Sequence, residues 1–327
     1  MRAVSIIAAL VGVALMTALV LVFGAAAVTR SLLAVGWRGF AAVCLIQLAL
    51  IATMGIAWRG LVARAPARAF VWARLVRDAG SEVLPLSPVG GCILGARAVA
   101  LAGVPVSIAA ASTIVDLTLE FLAKLAYTAL GLVWLVHLRP GSPLALPLTA
   151  GLAVACLAAA AFILVQRRGS GPVDRLAGII GRGWAERAAA GAAALRTALG
   201  DIHRRRARLR VGFMLHLACW LSLASQAWLA LRLAHRGLPF GQVLVIESLV
   251  YAIRTFAFAI PNAAGVQEGA YILIGAAFGL TPEMALALSL LKRARDLTIG
   301  LPVLGIWQIR EGGRLWRRRR RWPAKSI

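Results

Sequence analysis

The sequence has few charged residues for its length, and most of those are of one sign. Only 15% of its 327 residues are charged, with 12 acidic side chains against 36 basic ones, whereas 61% are hydrophobic. The mean hydropathy is +0.84. A soluble domain of this length needs a far more polar surface, so a soluble fold is excluded. We predict an all-α polytopic membrane protein.

Cysteine and histidine are also scarce, with four of each. The cysteines fall singly in apolar segments, where we expect small buried hydrophobic side chains: Cys44, Cys92, Cys156 and Cys219. Neither residue type shows the spacing of a metal site or a redox pair, so we predict no metal and no cofactor. The sequence also has no nucleophile elbow and no phosphate loop, and we assign no catalytic residue.

The basic residues follow the connections between apolar runs. Segments 58–78, 167–210 and 310–327 hold five, eleven and eight of them, whereas the other three connections hold five in all. Cytoplasmic loops carry this excess, so we predict that both termini are cytoplasmic in a bacterial inner membrane. We expect the 167–210 loop, with an amphipathic helix over Val173, Leu176, Ile180 and Trp184, and the tail to bind anionic lipid head groups. No nucleic-acid partner is expected, because no base-stacking module accompanies the charge.

Four uncharged runs are long enough to cross a membrane alone: Val4 to Val28, Phe40 to Ala57, Leu144 to Val165 and Val211 to Leu231. Two charged helices would bring the number of full spans to six. Segments of about 79–112 and 239–281 must then return to the side on which they begin, as re-entrant helical hairpins. An alternative is that 239–260 and 264–280 both cross fully.

With these elements the chain divides into two transmembrane halves, 1–138 and 139–309, followed by a basic tail, 310–327. Each half reads as two spans, a hairpin and a charged span, in opposite orientations. This order predicts an inverted repeat, which is typical of secondary transporters. We expect the hairpin helices to break at proline and glycine residues: Pro88, Gly90, Gly91, Pro261 and Gly265.

Charged and polar residues lie inside the segments that are otherwise apolar enough for lipid. Charges at membrane depth are costly and usually functional. We therefore predict a polar cavity that binds a lipid's polar end, lined by residues of both halves: Arg97, Asp116, Glu120, Glu247, Tyr251, Arg254, Asn262, Gln267, Glu268, Lys292, Arg293, Arg295 and Asp296.

Helical spacing suggests how several of these side chains pair. Glu268 follows the expected break and either pairs with Arg254 or Arg293 or contacts substrate. Lys292 and Asp296 lie one turn apart and are expected to form an ion pair. An alternative is that the basic residues of this last helix lie near a membrane edge and extend to the interface.

The first half carries a second charged series, in which Asp116, Glu120 and Lys124 recur every four residues. Glu120 can pair with Lys124, whereas Asp116 faces a like charge. We expect one of the two carboxyl groups to be protonated, which would suit proton coupling.

Several motifs resemble HpnL-type proteins associated with hopanoid biosynthesis, in the flippase-like group similar to the transmembrane region of lysylphosphatidylglycerol synthase. They are Glu247-Ser248-Leu249 with Arg254, 257–261, 265–269, 287–296, 300–302, and 88–91 with 95–97. The resemblance covers essentially the whole chain. The sequence departs from the family's pattern at Cys92, where an acidic residue commonly follows the glycine pair. We expect no soluble aminoacyl-transferase domain.

The resemblance implies a flippase or transporter for hopanoids or their precursors. One alternative is an intramembrane enzyme that modifies such a lipid, with Asp116, Glu120 and Glu268 as acid or base. Another is a nonenzymatic assembly factor. We expect Glu268→Gln and Arg254→Ala to abolish activity while leaving membrane insertion intact.

Overall fold

The computed structural model describes residues 25–62, 65–83, 87–168, 182–235, 237–257, 260 and 263–320. These residues form ten helices and no strand, which confirms the prediction of an all-α protein. In chain order the helices are α1 (Ala25–Val62), α2 (Ala67–Val83), α3 (Ser87–Leu101), α4 (Val106–Leu138), α5 (Ala145–Arg168), α6 (Arg182–Arg204), α7 (Arg206–Leu233), α8 (Phe240–Phe256), α9 (Val266–Ala276) and α10 (Pro282–Arg320).

Four of these helices are long and apolar enough to cross a membrane: Leu33–Val62, Val106–Leu138, Ala145–Gln166 and Arg206–Leu233. Three of them contain the predicted runs that begin at Phe40, Leu144 and Val211, and the fourth is the charged span of the first half. The run from Val4 lies outside the described residues except for its last four, which begin α1. The count of six spans stays a prediction.

The two predicted hairpins correspond to two pairs of shorter helices, α2 with α3 and α8 with α9. The second pair falls within the predicted range 239–281, whereas the first begins at Ala67 and ends at Leu101 rather than covering 79–112. The helix α2 thus begins inside segment 58–78, the predicted cytoplasmic loop, whose basic residues include Arg74 and Arg77. Both arginines are instead buried in the bundle, where α4 supplies their carboxylate partners.

The glycines of the first pair serve packing rather than interruption. Gly90 and Gly91 lie inside α3, so the prediction that they break a helix is wrong. A Cβ at Gly91 would come within 2.4 Å of the Arg77 carbonyl oxygen and 2.9 Å of the Ser81 nitrogen, both on α2. The absence of a side chain therefore lets the two helices approach closely.

Similar turns lead into the long charged helix of each half. Gly103 precedes α4 with a φ of 94°, and Gly279 precedes α10 with a φ of 76°. A proline follows each glycine, Pro105 immediately before α4 and Pro282 as the first residue of α10. Only glycine adopts these angles without strain, and proline suits a helix start, so the sequence dictates both turns.

Two apolar cores hold the bundle together. The first surrounds α2, with Trp58 and Phe70 in edge-to-face contact at 5.7 Å, and extends to the end of α6 and the middle of α10. The second joins α4 and α7 to α8, α9 and the start of α10. A smaller cluster that includes Tyr127 and Trp220 lies between them. Each core therefore belongs chiefly to one helix pair.

Cysteine burial differs from the expectation. Cys219 is buried, but Cys44 and Cys92 are half-buried and Cys156 is exposed on α5. An exposed thiol on a helix that is apolar enough to cross a membrane faces lipid, and a small hydrophobic side chain is suitable there as well.

Candidate functional site: a charged cavity between the two helix pairs

A cavity of about 430 Å³ lies between the two helix pairs, next to the segment that joins α8 to α9. Its lining combines residues of α1, α2, α3, α4, α7, α8 and α10. Apolar side chains such as Leu50, Met54 and Phe121 form part of the wall. The charged lining residues are Arg74, Arg77, Asp78, Glu82, Glu120, Lys124, Arg254, Arg295 and Asp296.

The first-half network consists of Arg74, Arg77 and Asp78 on α2 and of Asp116, Glu120 and Lys124 on α4. Arg74 donates to Glu120 at 2.9 Å and to Asp78 at 2.8 Å. Arg77 donates to Asp116 at 2.6 Å and also to Glu120.

The Lys124 ammonium lies 3.5 Å from a Glu120 carboxylate oxygen, so this carboxylate contacts three cations. Arg74, Arg77, Asp116 and Glu120 are buried. Buried charges are tolerated only when each is paired, and loss of one partner of such a pair costs about 3–5 kcal/mol. The network therefore fixes the position of α2 against α4.

Asp116 lies behind this network rather than on the cavity surface. Besides Arg77, it contacts the imidazole of His216 on α7 at 3.0 Å, and His216 is fully buried. The like-charge contact expected for Asp116 is thus offset by a guanidinium and an imidazole, neither of which the spacing along α4 could reveal.

An ion pair on the cavity surface connects α2 to α8. Arg254, near the end of α8, donates to both oxygens of Glu82, near the end of α2, at 3.3 and 3.4 Å. The Arg254 guanidinium also lies 5.2 Å from the centre of the Tyr251 ring. Both charged side chains line the cavity, and both are partly exposed, so a ligand can reach them.

The second-half network joins α8, α9 and α10: Glu247, Gln267, Glu268, Tyr271, Ser289, Lys292 and Arg293. The Tyr271 hydroxyl donates to Glu247 at 2.6 Å, and Lys292 donates to the same carboxylate. This part of the network ties α9 and α10 to α8 through one buried glutamate.

Glu268 forms the centre of the rest of that network. Arg293 donates to its two oxygens at 2.7 and 3.0 Å, Ser289 donates at 2.7 Å, and the backbone N–H of Gly265 donates at 2.8 Å. The expected partner of Glu268 is therefore Arg293 and not Arg254. Since α9 begins at Val266, Glu268 also caps the start of this helix.

Arg295 and Asp296 form a separate pair on α10. Arg295 donates to Asp296 at 2.9 and 2.7 Å, and it also donates to Gln226 on α7. The expected pairing of Lys292 with Asp296 is wrong, because Lys292 points to Glu247 while Asp296 pairs with its neighbour. Lys292 and Arg295 are buried and Arg293 is nearly so, which contradicts the alternative that these three basic residues extend to a membrane edge.

The predicted site residues fall into three groups. The cavity is lined by Glu120, Tyr251, Arg254, Arg295 and Asp296. Structural networks hold Asp116, Glu247, Gln267, Glu268, Lys292 and Arg293. Arg97 lies away from the cavity, half-exposed on α3, where it pairs with Glu311. Asn262 and Pro261 lie outside the described residues.

Sequence reasoning missed the cavity residues of α2. Arg74, Arg77 and Asp78 recur at helical spacing, which places them on one side of α2. Matching that side to Asp116 and Glu120 could have found them. They were missed because a count of basic residues treats every arginine near an apolar run as a loop residue.

The sequence that forms this cavity matches a known protein family. Among curated proteins and solved structures, no match was found. The family model described as lysylphosphatidylglycerol synthase TM region matches residues 5–303, in agreement with the apolar helices of the bundle. The chain is therefore a membrane protein that belongs to the lysylphosphatidylglycerol synthase transmembrane region family.

Proposed function

We propose that the protein translocates a membrane lipid whose polar end passes through the central cavity. The observation that carries this proposal is the cavity itself, which has nine charged side chains in its lining inside a bundle of apolar helices. A polar group that crosses hydrocarbon without partners costs several kcal/mol. The cavity offers such partners among helices that are apolar enough to cross a membrane, so it would lower the barrier to translocation.

The charge balance of the lining favours a particular class of polar end. Five cations face four anions on the cavity surface, and each cation contacts a carboxylate. A polar end with one strong charge would meet side chains that repel it. Hydroxyl groups both donate and accept, so a polyhydroxylated or zwitterionic end complements both signs. Hopanoids with hydroxylated side chains belong to this class, and we propose them, or their precursors, as substrates.

The cavity would open alternately to the two sides of the membrane through movement of the two halves against each other. We propose that α2–α3 and α8–α9 are re-entrant hairpins of an inverted repeat, which rock about the cavity. In this proposal both termini face the cytoplasm of a bacterial inner membrane. The basic loop 167–210 and the tail 310–327 would bind anionic lipids there, in part through residues outside the described ranges.

The test is reconstitution of the purified full chain in vesicles with a fluorescent hydroxylated hopanoid. Translocation is read as the fraction of the label that a membrane-impermeant quencher reaches over time. Arg254→Ala is expected to slow it about tenfold, which corresponds to the loss of one charge-assisted contact. The matched control is Arg97→Ala, which removes an arginine that lies outside the cavity and should leave the rate unchanged.

Equal rates with and without protein for this lipid and for a zwitterionic phospholipid would refute the proposal. Equal slowing by the two arginine variants would show that the central cavity is not the route.

An intramembrane enzyme is the second candidate, because Asp116 and His216 form a buried hydrogen-bonded pair behind Arg77. Such a pair can move a proton. However, neither residue lines the cavity, so the geometry favours transport. Lipids of a deletion strain decide between the two. An accumulated unmodified precursor would support the enzyme, whereas unchanged species with an altered distribution between leaflets would support transport.

A further inference from the structure

A second, smaller pocket opens between α4 and α5. It measures about 240 Å³, and its wall is mostly apolar, with Thr118, Glu120 and Lys124 as the polar lining residues. We call it the seam pocket. Its lining residues are Leu117, Thr118, Glu120, Phe121, Lys124, Ala159 and Phe162.

The seam pocket adjoins the central cavity. Leu117, Glu120, Phe121 and Lys124 line both spaces. The two charged members of this group face each other at 3.5 Å, and Lys124 also lies 4.9 Å from the centre of the Trp220 ring. A charged space and an apolar space therefore meet at one helix face. This is the arrangement that an amphipathic molecule requires.

The other wall of the seam is the most loosely held span that the structure describes. Only 6% of the most apolar stretch of α5 is buried, compared with 28%, 33% and 50% in α1, α4 and α7. At the end of α5, Gln166 donates to Thr118 on α4 at 2.9 Å. Separation of α5 from α4 would expose less packed surface than separation of any other described span.

We propose that the seam pocket holds the hydrocarbon part of the lipid whose polar end lies in the central cavity. The lipid enters sideways between α4 and α5, and Lys124 contacts the first polar atoms beyond the hydrocarbon. This inference rests on the proposed function and extends it, because it assigns the lateral entrance and the site for the apolar part. It also accounts for an apolar pocket that is lined by Phe121 of α4 and Phe162 of α5.

The experiment maps photochemical crosslinks on the full chain in vesicles of phosphatidylethanolamine and phosphatidylglycerol. One set contains a phosphatidylethanolamine with a diazirine in an acyl chain, and the other contains a hydroxylated hopanoid with a diazirine in its ring system. We expect at least one probe to label Phe121, which borders both spaces. Leu157, exposed on α5, reports general contact with lipid and should be labelled in every sample.

Filling the seam should remove the label at Phe121 alone. Ala159 is 5% exposed, and Ala159→Trp is expected to lower this labelling about tenfold, because a packed pocket cannot accept both side chain and lipid. The adjacent Ala160 is exposed, so Ala160→Trp is a matched control that should change nothing. Ala159→Leu, with a smaller side chain, should give an intermediate loss and covers the case in which the tryptophan variant does not fold.

A variant of the central cavity shows whether one lipid occupies both spaces. Arg254→Ala should lower labelling at Phe121 and leave Leu157 unchanged. If neither probe labels Phe121, or if labelling survives both Ala159→Trp and Arg254→Ala, the inference is wrong and lipid chains meet only the outer surface. If Ala159→Trp still translocates lipid although Phe121 is no longer labelled, the inference is wrong and the proposed function stands. Cavity-dependent labelling without translocation would refute the proposed function alone.

Discussion

The two helix pairs place their charges at corresponding positions but with opposite signs. Arg74 on α2 and Glu247 on α8 each lie seven positions after the first residue of their helix. Asp116 and Arg293 each lie eleven positions after the proline that starts the following long helix. In the first half two arginines of α2 pair with carboxylates of the long helix α4, whereas in the second half the carboxylates of α8 and α9 pair with cations of the long helix α10.

The networks also differ in what they face. Arg74, Arg77 and Glu120 of the first-half network form part of the cavity surface. The second-half network lies behind the cavity, where Glu247 and Glu268 join α8, α9 and α10. Similar placement thus puts charges on the cavity surface in one half and between packed helices in the other. Pairing by charge therefore indicates where helices meet, whereas access from the cavity decides which charges can bind a ligand.

The largest expected effect comes from breaking the buried pair of the second half. Lys292→Met leaves Glu247 without its cation, and Glu247→Gln leaves a buried ammonium, so each should cost about 3–5 kcal/mol of stability. The double variant should recover most of that loss, since it leaves no buried charge. Thermal unfolding in detergent measures all three proteins. Additive losses in the double variant would show that the two charges are stabilised by other groups.

Glu268→Gln should separate stability from transport. The amide keeps part of the hydrogen bonding but loses the charge opposite Arg293, at a cost of about 2–3 kcal/mol. Because Glu268 does not line the cavity, we expect the folded fraction to translocate lipid at close to the normal rate. This revises the expectation that the substitution abolishes activity. A rate as low as that of Arg254→Ala at equal folded protein would return Glu268 to the ligand site.

Glycine substitutions compare the packing of the two helix pairs directly. At Gly91 a new Cβ would overlap the backbone of α2, so Gly91→Ala should destabilise the protein by about 1–3 kcal/mol. At Gly269, on α9, a Cβ meets no atom within 4 Å. Gly269→Ala should therefore be neutral or should stabilise by up to about 1 kcal/mol through helix propensity. Unfolding temperatures of the two variants check the pair, and equal losses would contradict the difference in packing.

The smallest expected effect concerns the ion pair of Glu82 with Arg254 on the cavity surface. Glu82 and Arg254 are partly exposed, so their coupling should contribute about 1 kcal/mol or less to stability. A double-mutant cycle with Glu82→Gln and Arg254→Ala measures it. A coupling energy well above this value would show that the pair stabilises the fold as strongly as the buried pair of Glu247 and Lys292.

Several features followed from the sequence alone. Composition determined a helical membrane protein, because only helices satisfy the backbone over such long apolar runs. The turns at Gly103 and Gly279 and the helix start after Gly265 follow from local backbone preferences. Polar and charged residues at otherwise apolar positions pointed to a polar cavity, and the cavity lining includes Glu120, Tyr251, Arg254, Arg295 and Asp296.

Tertiary structure alone decided which charge pairs with which and which side chains the cavity exposes. Glu268 could reach either Arg254 or Arg293 by spacing, and only the crossing of α9 with α10 selected Arg293. Arg77 became a cavity residue because α4 brings Asp116 and Glu120 to it across 39 and 43 positions of the chain. Periodicity defines the face of one helix, but an ion pair forms between two helices and depends on how they pack.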